Sequence, residues 1–423
     1  MYQVFDEAST PAASSDRVEA LLRELKKRRL KGFLVPHSDQ HQNEFLPPSE
    51  ERLAWLTGFT GSAGVAIVTD SGSALFVDGR YILQAPEQVD TEIFEVLQIP
   101  KAKPSEWLKS KLVRNNVVGY DARLHTISEI ERLKKSLGAA GIRLRALKDN
   151  PIDRIWGTDR PAPPQAEIFA QPLEFAGKGS GEKLIHVQME LVEAEHDAVL
   201  LTSPESICWL FNYRGGDIRH TPVALAHAIV PAKGRPTLFI DAEKVGEPMR
   251  DALKPFTDIA APDELDAALT KLAKSGAKVR LDEGSASMHF ANVLSAGGTK
   301  HVAGGDPCTL PKAIKTNAEQ QGARSAQLRD GVAMARFLAW LDEVGETGRV
   351  DEVSAAIKLE EFRRETGQLK DISFDTIAAS GPHGAIVHYR PTNDSKRVLD
   401  RNSLFLIDSG GQYTDGTTDV TRT

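Results

Sequence analysis

The chain has 423 residues, 41% apolar and 26% charged, with a formal charge of −7 from 52 Lys and Arg against 59 Asp and Glu. That length exceeds one ordinary core and predicts two or three domains, and the mild acidity gives no reason to expect a nucleic-acid partner. Two cysteines, Cys208 and Cys308, without CxxC or Cys/His zinc spacing argue against a secreted disulfide scaffold. The opening MYQVFDEASTPAASSD lacks the basic-then-apolar order of a signal peptide, and no apolar run approaches the length of a membrane span. A cytoplasmic protein with no membrane partner is expected.

Residues 1–13 read as a flexible lead. Asp16 and Glu19 suggest a capping-box-like start for a helix with Val18, Leu21, Leu22 and Leu25 on one face, running to about Arg29. Phe33–Val35 reads as a buried strand, and His37 to Pro48 as a solvated loop holding His37 and His41. Glycines 58, 61 and 64 suit a tight turn into a strand at Val65–Val68, and Asp70-Ser71-Gly72 a hairpin back through Ala74–Val77. The turn is neither a dinucleotide nor a Walker fingerprint. Arg80 is a candidate for a substrate pocket, with a structural salt bridge as the alternative. Strands near 93–97 and 117–120, with helices near 104–111 and up to Leu137, complete an α/β layer pattern. Thr126 or Ser128 is the expected cap of the second of these helices. The proline-rich stretch Asp159–Glu167 reads as a linker, closing a first domain, 1–160.

A second domain, 161–310, repeats the first weakly. GFLVP, LAWLTGF, GVAIV and ALFVDGR parallel AVLLT, ICWLFNY, AHAIV and TLFIDAE, with Trp55 matching Trp209 and Asp78 matching Asp241. A duplicated α/β unit is the inference, with both tryptophans in cores. Gly297 to Pro311 reads as the next boundary, with Cys308 an unreactive thiol.

The third domain, 311–423, changes character. Asn317 to Leu341 is a long helical pattern with Leu328, Val332, Ala335, Leu338 and Leu341 on one side, and Val353–Arg364 a second helix. A strand at Ile377–Ala379 leads to SGPHG, where His383 is expected to be exposed, and an extended Ala385–Val387 delivers His388. His388 is a candidate to hydrogen-bond a substrate carbonyl, or else a histidine packed beside Tyr389. Leu404–Ile407 ends in Asp408, and Asp419 follows eleven residues later across a glycine-rich turn. If a hairpin joins the two runs, both carboxylates face one interior point, which suits a metal pair; a hydrogen-bonded turn is the alternative. Asp415 reads as the more exposed, structural aspartate. Neither GxSxG nor HExxH occurs.

IKTNAEQQGARSAQLRDGVAMARFLAWL, SFDTIAASGPHGAIVHYRP and LIDSGGQYTDGTTDVTRT resemble the three-domain, cytosolic-type Xaa-Pro aminopeptidases of the creatinase/prolidase/methionine aminopeptidase superfamily. LTGFTGSAG, DGRY and WLFNYRGGDIRHTPV fit the same family. The resemblance implies an α/β fold: two creatinase-type N-terminal domains that cap the cleft, then a pita-bread catalytic domain. It implies two divalent ions, usually manganese, with Asp408 chelating one and Asp419 bridging both. His388 would be the substrate-contacting histidine. A hydroxide bridging the ions would release the N-terminal residue of short peptides whose second residue is proline, and the enzyme would be a homodimer.

The family's remaining His and Glu ligands follow the DVTRT motif, so the pita-bread domain reads as incomplete and the 423-residue chain alone is expected to be inactive. Two alternatives stand beside the aminopeptidase: a prolidase-like Xaa-Pro dipeptidase, and a non-catalytic peptide- or protein-binding module. Creatinase-like amidinohydrolysis has little support.

Overall fold

The computed structural model describes residues 1–423 apart from residues 7, 8 and 10 and the side chain at 346. The described residues form two compact bodies, one of 9–170 with 178–314, the other of 1–6, 171–177 and 315–423.

The larger body carries two six-stranded sheets. The first contains β1 (Gly32–Pro36), β2 (Val65–Thr69), β3 (Gly72–Val77), β4 (Phe94–Gln98), β5 (Val117–Asp121) and β6 (Arg143–Leu147), in the order β4-β3-β2-β1-β5-β6. A two-residue ribbon of β7 (Phe169–Ala170) and β9 (Tyr213–Arg214) follows, interleaved with the second sheet. That sheet contains β8 (Ala198–Leu201), β10 (His227–Pro231), β11 (Thr237–Phe239), β12 (Asp258–Ala260), β13 (Val279–Leu281) and β14 (Val302–Ala303), in the order β12-β11-β10-β8-β13-β14. The two orders match position for position. In each, the strand that opens the unit lies between one antiparallel and one parallel neighbour. The weak sequence repeat is therefore a repeat of topology. Its invariant element is the wholly buried strand GFLVP or AVLL, apolar on both faces because helices cover both sides of the sheet.

Some local expectations hold and others change. Thr126 is the cap, accepting from the Glu129 amide at 3.2 Å. The first helix is Ser14–Lys27, and Asp16 lies inside its first turn rather than capping it. Gly297 to Pro311 contributes β14, paired with β13. Both cysteines are buried, and burial pushes their thiols up, that of Cys208 to about 11. Trp209 is buried, and Trp55 stacks on Trp156 with ring centroids 5.2 Å apart. No helix among the described residues is long and apolar enough to cross a membrane.

The expected solvated histidine loop is instead packed. His41 is 4% exposed, its Nδ1–H donates to the Thr202 carbonyl at 3.1 Å, and its ring stacks on His227 at 4.4 Å. The edge of Phe290 closes on His227 at 5.2 Å. Burial, then the charges of His41, Arg123 and His289, hold the His227 imidazole well below its usual range. The sign of the effect follows. His227 stays neutral in the folded chain, whereas the unfolded chain takes up a proton below about pH 6.5. Its contribution is complete above that pH and is lost as pH falls. His227→Phe is expected to flatten the decline of Tm between pH 7 and pH 5, measured beside the parent; parallel declines would contradict this.

The smaller body is built on two helices, Asn317–Val344 and Glu352–Arg364, each opened by a capping box: Thr316 with Glu319, and Asp351 with Ser354. The long helix buries Gly322, Ala326, Asp330, Ala333, Met334 and Phe337. The expected face holds only near the end of the helix: Leu338 and Leu341 pack against the core, whereas Leu328 and Val332 are 74% and 56% exposed. Against the helices lie β15 (Asp371–Ile372), β16 (Ile377–Ser380), β17 (Phe405–Ser409), β18 (Gly411–Gln412) and β19 (Val420–Arg422). They form a three-stranded sheet, β16-β17-β19, and a ribbon, β15-β18. The N-terminal residues are not a free lead. Gln3 exchanges two hydrogen bonds with the Thr376 backbone, at 2.9 and 3.2 Å, and Phe5 joins Phe337, Leu359 and Ile407 in the core. The part of the expected lead at 7, 8 and 10 lies outside the described residues.

Candidate functional site

The site grows out of β17. Its apolar residues pack inward at Ile407 and the strand ends on Asp408 and Ser409. β17 pairs antiparallel with β19, Asp408 opposite Thr421. Asp419 lies two residues before Thr421, so strand alternation puts it on the same face as Asp408. The Asp408 carboxylate is near enough to Asp419 to act on its charge. The connection between them is more than a turn. Gly411–Gln412 pairs with β15, and Tyr413–Gly416 makes a tight reversal closed by the Tyr413 amide on the Gly416 carbonyl at 2.9 Å. At Gly410 a Cβ would lie 1.9 Å from the Thr418 carbonyl, so only glycine lets the two strands meet there.

The reversal is clasped to the long helix. Arg329 forks onto Asp415 at 2.9 and 3.1 Å, with its guanidinium 4.9 Å from the Tyr413 ring centroid. The Tyr413 hydroxyl donates to Asp330 at 2.8 Å, and Asp330 holds Arg363 through bonds of 2.7 and 3.0 Å. Asp330 and Arg363 are each 1% exposed. Gly322 makes room for this contact, since a Cβ there would lie 2.1 Å from the Asp415 carbonyl. Asp415 is thus a structural residue, but it is not the most exposed aspartate: its side chain is 14% exposed, whereas Asp419 is an exposed residue.

Electrostatically the pair is frustrated. Asp408 Oδ1 is buried and has no hydrogen-bond partner. Burial, and then the neighbouring Asp408 carboxylate, raise the Asp419 carboxyl above its usual range. Two neighbouring hard-oxygen groups, one with an orphaned oxygen, fit a divalent ion. Among the described residues no group of three or more His, Cys, Asp or Glu side chains converges to hold one.

His388 is delivered differently from the sequence reading. Gly381–Ala385 is a 3-10 helix, and His388 follows in a turn, half-buried, not at the end of a strand. The histidine beside Tyr389 is His383, stacked at 4.1 Å, and it is not exposed: its Nδ1 is 2.8 Å from the buried Glu352. Arg80 belongs to the larger body, where Asp78 takes its Nη2 at 2.7 Å and Glu44 lies 3.8 Å away. Sequence reasoning missed Glu352, Asp330, Arg363 and Arg329. Glu352 carried one faint signal, an acid in the first turn of a helix, which also fits a simple dipole role.

Comparison with known proteins fits this geometry. Residues 17–149 and 159–319 each match the Creatinase/Prolidase N-terminal domain, and residues 321–423 match Metallopeptidase family M24. A Neurospora crassa protein named "Probable Xaa-Pro aminopeptidase P" is 36% identical over 99% of this chain and 63% of its own length. A Sordaria macrospora protein of the same name is 36% identical over 97% of this chain and 69% of its own. The chain therefore spans roughly two thirds of the length of these relatives. The crystal structure of an X-prolyl aminopeptidase from Caenorhabditis elegans, described as a cytosolic enzyme with a di-nuclear active site, superimposes with a TM-score of 0.90 at 29% identity. That match covers 97% of this chain and 69% of the nematode chain. Duplicated creatinase-type sheets, an M24 domain and this likeness along the whole chain show that it belongs to the Xaa-Pro aminopeptidase P family of the M24 metallopeptidases.

Proposed function

We propose that the chain serves a metal-dependent aminopeptidase that removes the first residue of peptides with proline in second position. The observation that carries this reading is the convergence of Asp408 and Asp419 on one sheet face, one with an orphaned oxygen. These two side chains would hold divalent ions, two by analogy with the di-nuclear nematode enzyme, and hard oxygen donors suit manganese. A bound pair of this kind supplies Lewis-acid polarisation and an activated water.

The chain's own contribution is to place the carboxylates and to offer His388, whose ring N–H would donate to the substrate carbonyl as negative charge develops on it. The scissile bond precedes a proline, which has no N–H and a fixed backbone angle, so the substrate is distinguished by shape. Arg80 has no necessary part in this reading. Short peptides as substrates, a cytoplasmic setting and a homodimer belong to the same proposal, and the three domains are taken as 1–160, 161–310 and 311–423.

The dipeptidase reading is not favoured, because relatives matching the chain nearly end to end carry the aminopeptidase name. The test, run on the intact protein, compares an Xaa-Pro-Xaa tripeptide, an Xaa-Pro dipeptide and an Xaa-Ala-Xaa control. Faster cleavage of the proline tripeptide, abolished by a chelator, is expected. Preference for the dipeptide would support a prolidase, and no cleavage with no bound metal would support a binding module.

A further inference from the structure

Glu352 opens the helix Glu352–Arg364 and is completely buried. Four donors converge on its carboxylate: the Ser380 amide at 2.6 Å, His383 Nδ1 at 2.8 and 3.0 Å, the Tyr389 hydroxyl at 3.1 Å and the Arg397 amide at 2.8 Å. The Glu352 amide in turn donates to the Arg397 carbonyl at 3.0 Å. A carboxylate has about four acceptor positions and no donor, so it matches this set; an amide would set its own N–H₂ against one of the donors. Burial makes the match matter, because a donor left without an acceptor inside the protein is costly.

The four donors bracket one segment. Ser380 ends β16, Arg397 lies beyond the loop, and His383 and Tyr389 flank His388 from either side. Tyr389 is held again by the Ser395 Oγ at 3.0 Å and by the face of His383. Within this loop His388 sits next to one residue of the network and five positions from another.

We propose that Glu352 is a positioning residue for His388, acting through His383 and Tyr389 to fix the loop of residues 380–397. The proposal rests on the substrate-facing role of His388 given above. In it, Glu352 touches neither substrate nor metal; it sets the direction of the His388 ring before the substrate arrives.

The experiment uses the intact protein and two readouts. In Glu352→Gln, amide hydrogen exchange at residues 380–397 is expected to rise by about tenfold or more, while the Asn317–Val344 helix keeps its protection. In the same variant kcat for an Xaa-Pro-Xaa peptide falls more than KM changes. That loss disappears when the substitution is made in a His388→Ala background, because the two residues act as a unit. His383→Asn, which keeps an N–H to offer, retains most of the parental kcat, whereas His383→Leu does not; this pair decides the matter if Glu352→Gln fails to fold. Unchanged loop protection, or an equal loss of kcat with and without His388, overturns the proposal. His388→Ala with undiminished kcat beside a loosened loop overturns the reading of His388 and leaves the hold of Glu352 on the loop standing.

Discussion

Asp419→Asn is expected to lower peptidase activity by more than about 100-fold and to release bound metal. The magnitude follows from a comparison: removing a group that only supports a metal ligand costs about 10- to 100-fold, so removing a ligand costs more. Asparagine keeps the size and one oxygen but removes the charge, leaving Asp408 as the only carboxylate of the pair. The fold should tolerate the change, because Asp419 is exposed and its carboxyl is already raised by its neighbour. Without metal, the variant is expected to be at least as stable as the parent, since a like-charge contact has been removed. Activity within threefold of the parent would remove Asp419 from the site.

The second large effect concerns stability. Arg363→Ala leaves the buried Asp330 carboxylate with the Tyr413 hydroxyl as its remaining side-chain donor among the described residues. Breaking one side of a buried ion pair costs about 3–5 kcal/mol, chiefly because the remaining charge is stranded. The loss should appear in hydrogen exchange of the Asn317–Val344 amides, which report the smaller body alone. Replacing both partners, as in Asp330→Leu with Arg363→Met, is expected to restore most of it, because the desolvation penalty is removed together with the attraction. A double variant as unstable as the single one would show that Asp330 matters through Tyr413 rather than through Arg363. The same contact links stability to the site. Tyr413 sits in the reversal between the runs that carry Asp408 and Asp419, so on the proposed reading Arg363→Ala should also weaken metal binding.

The strands were legible because they announce themselves locally. GFLVP, GVAIV and ALFVDGR are short apolar runs bounded by glycine or aspartate turns, and each is a strand of the first sheet. The repeat was legible for the same reason, since matching runs occupy matching places in the two sheet orders. The long helix was legible as a helix but, short of its last turns, not in its orientation. Its buried stripe is Gly322, Ala326 and Asp330 in the half that receives the Tyr413–Gly416 reversal, where close approach demands small residues and an ion pair. A hydrophobicity pattern reads such a stripe as surface, and reads Leu328 and Val332 as core. The packing of Gln3 against Thr376 spans 373 positions, and no local pattern encodes it.

In the site, Asp408 and Asp419 were visible as carboxylates at the ends of two extended runs, and the register of β17 on β19 places them together. The loop around His388 was misread. Ile386 and Val387 have strand propensity, but Gly381, Pro382 and Gly384 favour the 3-10 turn that forms. What holds the loop is one buried acid thirty residues upstream, and nothing in the residues around Glu352 says that four donors will meet there.

The central claim is that Asp408 and Asp419 hold divalent metal. Its most direct test is elemental analysis of the intact protein and of Asp419→Asn, both dialysed to equilibrium against the same low concentration of manganese. The account predicts about two divalent ions per chain in the parent, on the di-nuclear pattern of its nematode relative, and their loss from the variant. A parent that retains no metal, or a variant that retains as much as the parent, would contradict it.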